Sequence, residues 1–96
     1  MKIQILDEAQ QDLVDGFQFY ESQSEGLGDY FLDSIFSDID SLQICAGIHG
    51  LQFGYHRLLA KRFPFAIYYR IENQVVRVYA ILDCRRNPAW ARNRLT

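Results

Sequence analysis

In the N-terminal half of the chain, the spacing of apolar residues changes from the two-residue period of a strand to the period of a helix. Residues 1–6, MKIQIL, alternate apolar and polar side chains, which indicates a half-buried strand. From Asp7 onward the apolar residues recur every three or four positions, and we predict a helix over about residues 8–23. Asp7 and Gln10 have the spacing of a capping box at its start. The predicted apolar stripe of this helix is Ala9, Leu13, Phe17 and Tyr20.

A second helix is predicted over about residues 29–45, because the segment SEGLG breaks the first one. Leu32 and Phe36 lie beside its stripe and widen the apolar face. Either these two side chains complete the packing of a helical hairpin, or they receive an apolar segment of another protein. The pattern favours neither reading. The stripe itself consists of Phe31, Ile35, Ile39 and Leu42.

In the C-terminal half, apolar residues alternate with other residues, as is typical of strands. FPFAIYYRI and VVRVYAILDC each alternate apolar residues with others, and a tight turn at Asn73-Gln74 joins them in a predicted antiparallel hairpin. The register that brings both apolar sets to one face pairs Ile71 with Val76, Tyr69 with Val78, Ile67 with Ala80 and Phe65 with Leu82. The opposite face then carries Tyr68, Tyr79, Arg70 and Arg77, and an earlier strand around YHRLLAKR adds Arg57 and Lys61.

The predicted order is strand, helix, helix and three strands, an α+β fold in which a helical hairpin covers one side of an antiparallel sheet. The 96 residues, 49% of them apolar, are expected to form a single domain over residues 1–96. No apolar run approaches the roughly 18 residues of a membrane span. The chain turns acidic by Asp7, too early for a signal peptide, and we expect a cytoplasmic protein. Cys45 and Cys84 are accordingly expected to be reduced thiols, with a disulfide as the minor alternative.

Charge is divided between the two halves. Residues 1–50 contain ten acidic residues and one basic residue, whereas residues 51–96 contain nine basic residues and two acidic ones. Such a division predicts an anionic partner for the basic half. Pro88 stops the last strand, so the arginines around it are expected to bind a target, to form a solvated tail, or to form salt bridges with the acidic helices. The candidate target- or nucleic-acid-binding residues are Arg57, Lys61, Arg70, Arg77, Arg85, Arg86, Trp90, Arg92 and Arg94.

Three separated stretches resemble the RelE/ParE superfamily of type II toxins, especially its ParE-like and "plasmid stabilisation" members. They are YESQSEGLG, RFPFAIYYRI and RRNP, and the resemblance extends over essentially the whole chain. It implies the fold described above, a bacterial growth-inhibiting toxin, and a cognate antitoxin that wraps and neutralises it. Leu32 and Phe36 are the candidate antitoxin-binding residues.

Two activities occur in this superfamily: ribosome-dependent cleavage of messenger RNA, and inhibition of DNA gyrase. By the resemblance, Arg57 keeps one basic position of the nuclease branch. Leu59 and Ala66 stand where that branch has Lys and Arg, Cys84 replaces another Arg, and Trp90 falls near the catalytic Tyr. A gap of one or two residues would give Arg85 the role of Cys84. Because Trp does not transfer protons, gyrase inhibition is favoured over messenger-RNA cleavage. A non-toxic interaction module on the same fold is the third reading.

The catalytic candidates from the residues themselves are His56, Arg57 and Arg85, since His titrates near neutral pH. A structural histidine with a local hydrogen bond is the alternative. His49, His56 and Cys84 lack the spacing of metal ligands, so neither a metal nor a cofactor is predicted. If the protein is an enzyme, it is expected to be a metal-independent messenger-RNA endoribonuclease.

Overall fold

Nine elements form the fold of the computed structural model, which describes residues 1–96. In chain order they are β1 (Lys2–Ile5), α1 (Asp7–Gln23), α2 (Leu27–Asp40), α3 (Leu42–Cys45), β2 (Leu51–Gln52), β3 (Tyr55–Leu59), β4 (Phe65–Glu72), β5 (Val75–Asp83) and α4 (Pro88–Leu95). The strands make one sheet in the order β1-β5-β4-β3-β2. The α1–α2 hairpin packs on one face of the sheet, and α4 packs on the other. None of the helices has the length and apolar character needed to cross a membrane.

The sheet is mixed. β1 pairs in parallel with β5, whereas β2, β3, β4 and β5 pair antiparallel in succession. The predicted α+β class, with a helical hairpin on a sheet, is therefore confirmed, and the prediction of an antiparallel sheet is corrected at this edge. The short strand β2, which the sequence pattern did not predict, adds one reversal of chain direction. That reversal leaves β5 running parallel to β1.

The predicted capping box at the start of α1 is wrong. Leu6 is the N-cap residue, and no side chain caps the helix. The reason is that Leu6 still belongs to the sheet, since its N–H donates to the Val78 carbonyl at 3.0 Å. Asp7 therefore lies inside the first helical turn, and the Gln10 amide donates to the Ile5 carbonyl at 2.8 Å.

The junction of α1 and α2 is organised by Glu21 and two glycines. The Glu21 carboxylate accepts from the N–H of Gly26 at 3.0 Å and from the N–H of Gly28 at 2.9 Å. It thus caps the start of α2, which begins at Leu27, slightly earlier than predicted. The helix also ends earlier, at Asp40, and residues 42–45 form the separate α3.

The apolar stripe predicted for α2 lies in the main core, where its four residues are at most 2% exposed. Gly16, which the sequence presents as a weak point of α1, has a packing role. A Cβ atom at this position would lie 2.5 Å from the Phe31 ring, so only glycine permits the observed approach of α1 to α2. Of the predicted α1 stripe, Phe17 alone is only half-buried.

A β-bulge shifts the register of the β4–β5 hairpin. The turn at Asn73-Gln74 forms as predicted, with φ of 53° and 64°, as a two-residue hairpin turn requires. The predicted pairs of Tyr69 and Ile71 are confirmed. Beyond Tyr69 the register moves by one residue and leaves Tyr79 unpaired. The predicted pairs Ile67–Ala80 and Phe65–Leu82 are therefore wrong, and the observed pairs are Ile67–Ile81, Ala66–Leu82 and Phe65–Asp83.

The bulge exchanges the two faces of the second half of β5, because successive strand residues point to opposite sides. Ile81 enters the main core beneath the helical hairpin. Ala80 and Leu82 turn to the other face, where a second, smaller core forms. Its buried members are Tyr55, Ala66, Tyr68, Ala80, Leu82 and Leu95.

α4 (Pro88–Leu95) occupies a segment in which the sequence pattern predicted no helix. Asn87 is its N-cap and accepts from the N–H of Ala89 at 2.8 Å, and Pro88 stands at the first helical position. Leu95 anchors the far end of the helix in the second core.

Asp12 connects α1, β5 and α4. Its Oδ2 accepts from the backbone N–H of Ile81 at 3.0 Å, at the part of β5 that lies beyond the end of β1. The Arg94 guanidinium donates to both carboxylate oxygens, at 2.7 and 2.9 Å. Asp12 is only 9% exposed, so the pair is largely shielded from solvent.

We expect Asp12→Ala to lower the free energy of unfolding by about 2–4 kcal/mol, because it leaves the Ile81 N–H and the Arg94 guanidinium without their partner. Arg94→Ala should cost less, since the carboxylate still accepts from Ile81. Urea unfolding of both variants measures the difference. Equal losses, or a loss below about 0.5 kcal/mol for Asp12→Ala, would contradict this assignment.

Candidate functional site

The sheet face beneath α4 carries three arginine side chains, and α4 with the turn before it adds others. Arg57 on β3 is the cross-strand partner of Tyr68 on β4, and Arg70 on β4 is the partner of Arg77 on β5. These residues alternate with the residues of the main core, so they point away from the helical hairpin. We call this surface the basic face and define it by Arg57, Arg70, Arg86 and Arg92 with the aromatic residues Phe53, Tyr55, Tyr68 and Trp90.

Arg57 lies at the centre of the basic face. Its Nε donates to the Tyr68 hydroxyl at 3.1 Å, and its Nη2 lies 3.6 Å from the Cys84 sulfur. Burial is the largest single influence on the pKa of the Arg57 guanidinium and lowers it, but the hydrogen bonds and charge interactions with Tyr68 and Cys84 together outweigh burial, and the net shift is upward. A cleft of about 100 Å³ beside Arg57 is also lined by Tyr68, Cys84 and Arg86. The cleft therefore offers a fixed positive charge and a hydroxyl to an anionic group.

Aromatic rings restrain the other cations of the basic face. The Arg86 guanidinium lies 4.1 Å from the centre of the Trp90 ring, and that of Arg70 lies 4.0 Å from the Tyr55 ring. The Arg92 guanidinium is 6.0 Å from the Phe53 ring. Cation–π contacts of this kind orient a guanidinium without neutralising its charge. Sequence reasoning did not select Phe53 or Tyr55, although the tight turn at Gln52-Phe53-Gly54 marks their position.

Three of the predicted binding arginines form salt bridges within the fold. Arg94 pairs with Asp12, Arg77 lies 3.4 Å from the Glu72 carboxylate, and Arg85 lies 2.7 Å from Asp83. Hydrogen bonding by Arg85 lowers the pKa of Asp83, and hydrogen bonding by Asp12 raises the pKa of Arg94. The alternative of a salt bridge to the acidic helices thus describes Arg94, while Arg85 pairs within its own turn.

Lys61 lies apart from the basic face, in the exposed connection between β3 and β4. The backbone N–H of Lys61 donates to the buried Asp38 carboxylate at 3.1 Å, which fixes this connection against α2. The Lys61 side chain has no salt-bridge partner, and neither has its neighbour Arg62, which sequence reasoning did not select.

The three catalytic candidates do not converge. His56 stacks on the Tyr69 ring with centroids 5.0 Å apart, on the side of the helical hairpin. Arg57 points to the opposite face of the sheet. Arg85 bonds Asp83 and lies 3.4 Å from the Tyr20 hydroxyl of α1. No proton donor or acceptor from His56 therefore meets Arg57 or Arg85.

Leu59 and Ala66, which stand where the nuclease branch has Lys and Arg according to the sequence resemblance, are neighbours in the sheet. Leu59 at the end of β3 is the cross-strand partner of Ala66 on β4. Leu59 is 55% exposed and Ala66 is fully buried, so this part of the sheet offers an apolar surface and no cation. Trp90 stacks with Arg86 and lines a groove between α1 and α4.

The predicted antitoxin-binding residues line an apolar groove on the outer side of the helical hairpin. Leu32 is half-buried and packs against the main core, whereas Phe36 is 41% exposed. The groove measures about 790 Å³. We call it the helix groove; its lining residues are Ile5, Gln10, Leu13, Val14, Phe17, Gln18, Asp29, Leu32 and Phe36.

Comparison with known proteins shows the fold. No family model matches the chain, and no curated protein matches it. A solved structure of the chromosomal ParDE TA system from P. aeruginosa contains a similar chain, with a TM-score of 0.71 and 20% sequence identity. The similarity covers 84% of this chain and 92% of that chain. The fold implied by the sequence resemblance is therefore confirmed.

His49 takes part in a hydrogen-bond network on the helical side of the sheet. The buried Tyr69 hydroxyl accepts from the N–H of Gly47 at 2.9 Å and forms a hydrogen bond with the His49 Nδ1. The His56 Nδ1 bonds the His49 carbonyl at 2.7 Å. Burial, followed by the proximity of His56, lowers the pKa of His49, which favours the neutral imidazole in this network. The network secures the loop between α3 and β2.

We expect the protein to lose stability as the pH falls below about 6.5, because the unfolded chain then takes up a proton that folded His49 resists. The contribution is complete above that pH and disappears as the pH falls through the lowered pKa. Urea unfolding at pH 7.5 and pH 5.5 measures it. His49→Asn retains an acceptor that does not titrate and should show a smaller loss. The same loss in both proteins would exclude this role of His49.

Proposed function

We propose that residues 1–96 are one toxin domain of a bacterial type II toxin–antitoxin pair, which acts in the cytoplasm and is neutralised by a cognate antitoxin. The fold shared with a chain of the ParDE TA system is the observation that carries this proposal. The mode of action favoured here is inhibition of DNA gyrase by binding. The basic face would contact the gyrase–DNA target, and the helix groove would receive the antitoxin.

The arrangement of the candidate residues favours binding over cleavage. Cleavage of RNA at a 2′-hydroxyl requires an acid–base group and a cation at the same phosphate. His56 and Arg57 lie on opposite sides of the sheet, and Arg85 is engaged by Asp83. Leu59 and Ala66 supply no second cation beside Arg57. What remains on the basic face is a set of oriented guanidinium groups, which suits recognition of phosphate or carboxylate.

One observation favours messenger-RNA cleavage as the second candidate. In the cleft beside Arg57, the Tyr68 hydroxyl and the Cys84 thiol each lie within hydrogen-bond distance of the Arg57 guanidinium. A phosphate seated there would meet a cation and a group able to donate a proton. This candidate requires Tyr68 to perform the acid–base role.

Induced expression of the protein alone should stop bacterial growth, and co-expression with the adjacent reading frame should restore it. Supercoiling by purified gyrase should fall on addition of the toxin, whereas primer extension on messenger RNA should show no new cuts. Ribosome-dependent cuts would select the nuclease candidate instead. Normal growth with and without the neighbouring frame would overturn the toxin proposal and leave a non-toxic interaction module.

Arg86→Ala should weaken growth inhibition, whereas Arg85→Ala at the adjacent position should leave it nearly unchanged. Arg86 is exposed and presented by Trp90, while Arg85 is occupied by Asp83. Loss of one contact of about 1.4 kcal/mol corresponds to about tenfold weaker target binding. The inducer concentration that halves the growth rate measures the effect, with unfolding curves as the control for stability. If both substitutions weaken growth inhibition equally, the free guanidinium of Arg86 does not account for target binding.

A further inference from the structure

The helix groove is an unfilled apolar surface between α1 and α2. Six of its nine lining residues are apolar, and two of them, Val14 and Phe36, are 45% and 41% exposed. Two neighbouring antiparallel helices form a trough into which the apolar face of a third helix packs. The shape therefore fits a helix better than an extended strand.

Unpaired carboxylates follow one side of this groove. Asp29, Asp33 and Asp40 are separated by four and seven residues, so they lie in one row along α2 together with Phe36. All three are exposed, and none forms a salt bridge or a side-chain hydrogen bond. We call these three residues the acidic row.

Several other carboxylates of the hairpin differ from the acidic row, because they have partners within the fold. Asp12 binds Arg94, Glu21 caps α2, and Asp38 accepts from the backbone of Lys61. Neither α1 nor α2 contains a lysine or an arginine. Like charges four residues apart on a helix repel each other, so the row carries a small cost in the isolated protein. A partner with positive charge would remove that cost.

We propose that the helix groove binds an amphipathic helix whose apolar stripe is bordered by lysine or arginine residues that pair with the acidic row. That this helix belongs to the antitoxin rests on the proposed function; its chemistry rests on the groove and the acidic row alone. Apolar residues at positions i, i+3, i+4 and i+7 of the partner fill the groove. The basic border fixes its position and excludes acidic helices.

The same charges argue against other occupants. An anionic membrane surface would be repelled by the acidic row. A second copy of this chain could present its basic face, and such head-to-tail contact would appear as concentration-dependent association. In sedimentation we expect a monomer. Association that Asp29→Lys/Asp33→Lys abolishes would assign the groove to a second copy and overturn the proposal.

Two synthetic peptides test the partner's chemistry. Both are about 18 residues long and carry leucine at i, i+3, i+4 and i+7; one has lysine and the other glutamate at the positions bordering the stripe. Fluorescence anisotropy should show at least about tenfold tighter binding of the lysine peptide in about 50 mM salt, and a smaller difference in about 300 mM salt. Equal affinities, or a preference independent of salt, would overturn the proposal.

Charge reversal locates the site. Asp29→Lys/Asp33→Lys should shift the preference toward the glutamate peptide, whereas the control Asp15→Lys should not, because Asp15 lies on α1 and lines the separate groove beside Trp90. Should the double variant fail to fold, Asp33→Asn/Asp40→Asn should still reduce the preference for the lysine peptide. If Asp15→Lys removes the preference as strongly, the attraction is diffuse and the proposal fails. Peptide binding is independent of growth inhibition, so its failure is distinguishable from failure of the toxin proposal.

Discussion

The carboxylate of Asp12 is the contact on which the arrangement of all three layers depends. β1 ends before β5 does, so the second half of β5 has an open edge at Ile81. An unpaired N–H there would be costly because the residue is buried. The Asp12 carboxylate, on α1, accepts a hydrogen bond from the N–H of Ile81. The same carboxylate also binds Arg94 of α4. The helical hairpin, the sheet and the C-terminal helix are thereby joined through one side chain.

The division of charge along the sequence becomes a division between faces. The acidic half forms the helical hairpin, and the basic half forms most of the sheet and α4. Only part of this charge is neutralised inside the molecule, by pairs such as Arg94 with Asp12 and Arg85 with Asp83. The acidic row and the arginines of the basic face lie on opposite sides of the sheet. Because the two surfaces do not overlap, the proposed binding of a basic partner at one would not prevent the proposed binding of an acidic partner at the other.

The parts of the fold that could be predicted are those set by the local periodicity of apolar residues along the chain. The stripe of Phe31, Ile35 and Ile39 follows from helical spacing, and the turn at Asn73-Gln74 follows from its place between two alternating strands. The bulge at Tyr79 does not, because its register is decided by tertiary contacts such as that of Asp12 with Ile81. α4 has too weak an apolar period to be recognised, since its amphipathic character comes from few residues. The sequence indicated which arginines could form the basic face. It could not distinguish free arginines from paired ones, because the pairing also depends on tertiary contacts.

The arginines of the basic face are restrained by neighbouring aromatic rings, which bears on the binding role proposed for this surface. A flexible guanidinium loses conformational entropy when it is fixed by a partner, and that loss subtracts from affinity. Here Arg86 is already restrained by Trp90, Arg70 by Tyr55 and Arg92 by Phe53. Phe53 itself has a φ of 57°, a conformation that costs a residue other than glycine about 1–3 kcal/mol. The turn keeps this strained aromatic residue where its ring both packs against the second core and lies beside Arg92. Strain in the isolated protein is thus coupled to a surface whose cations are ordered before any partner arrives.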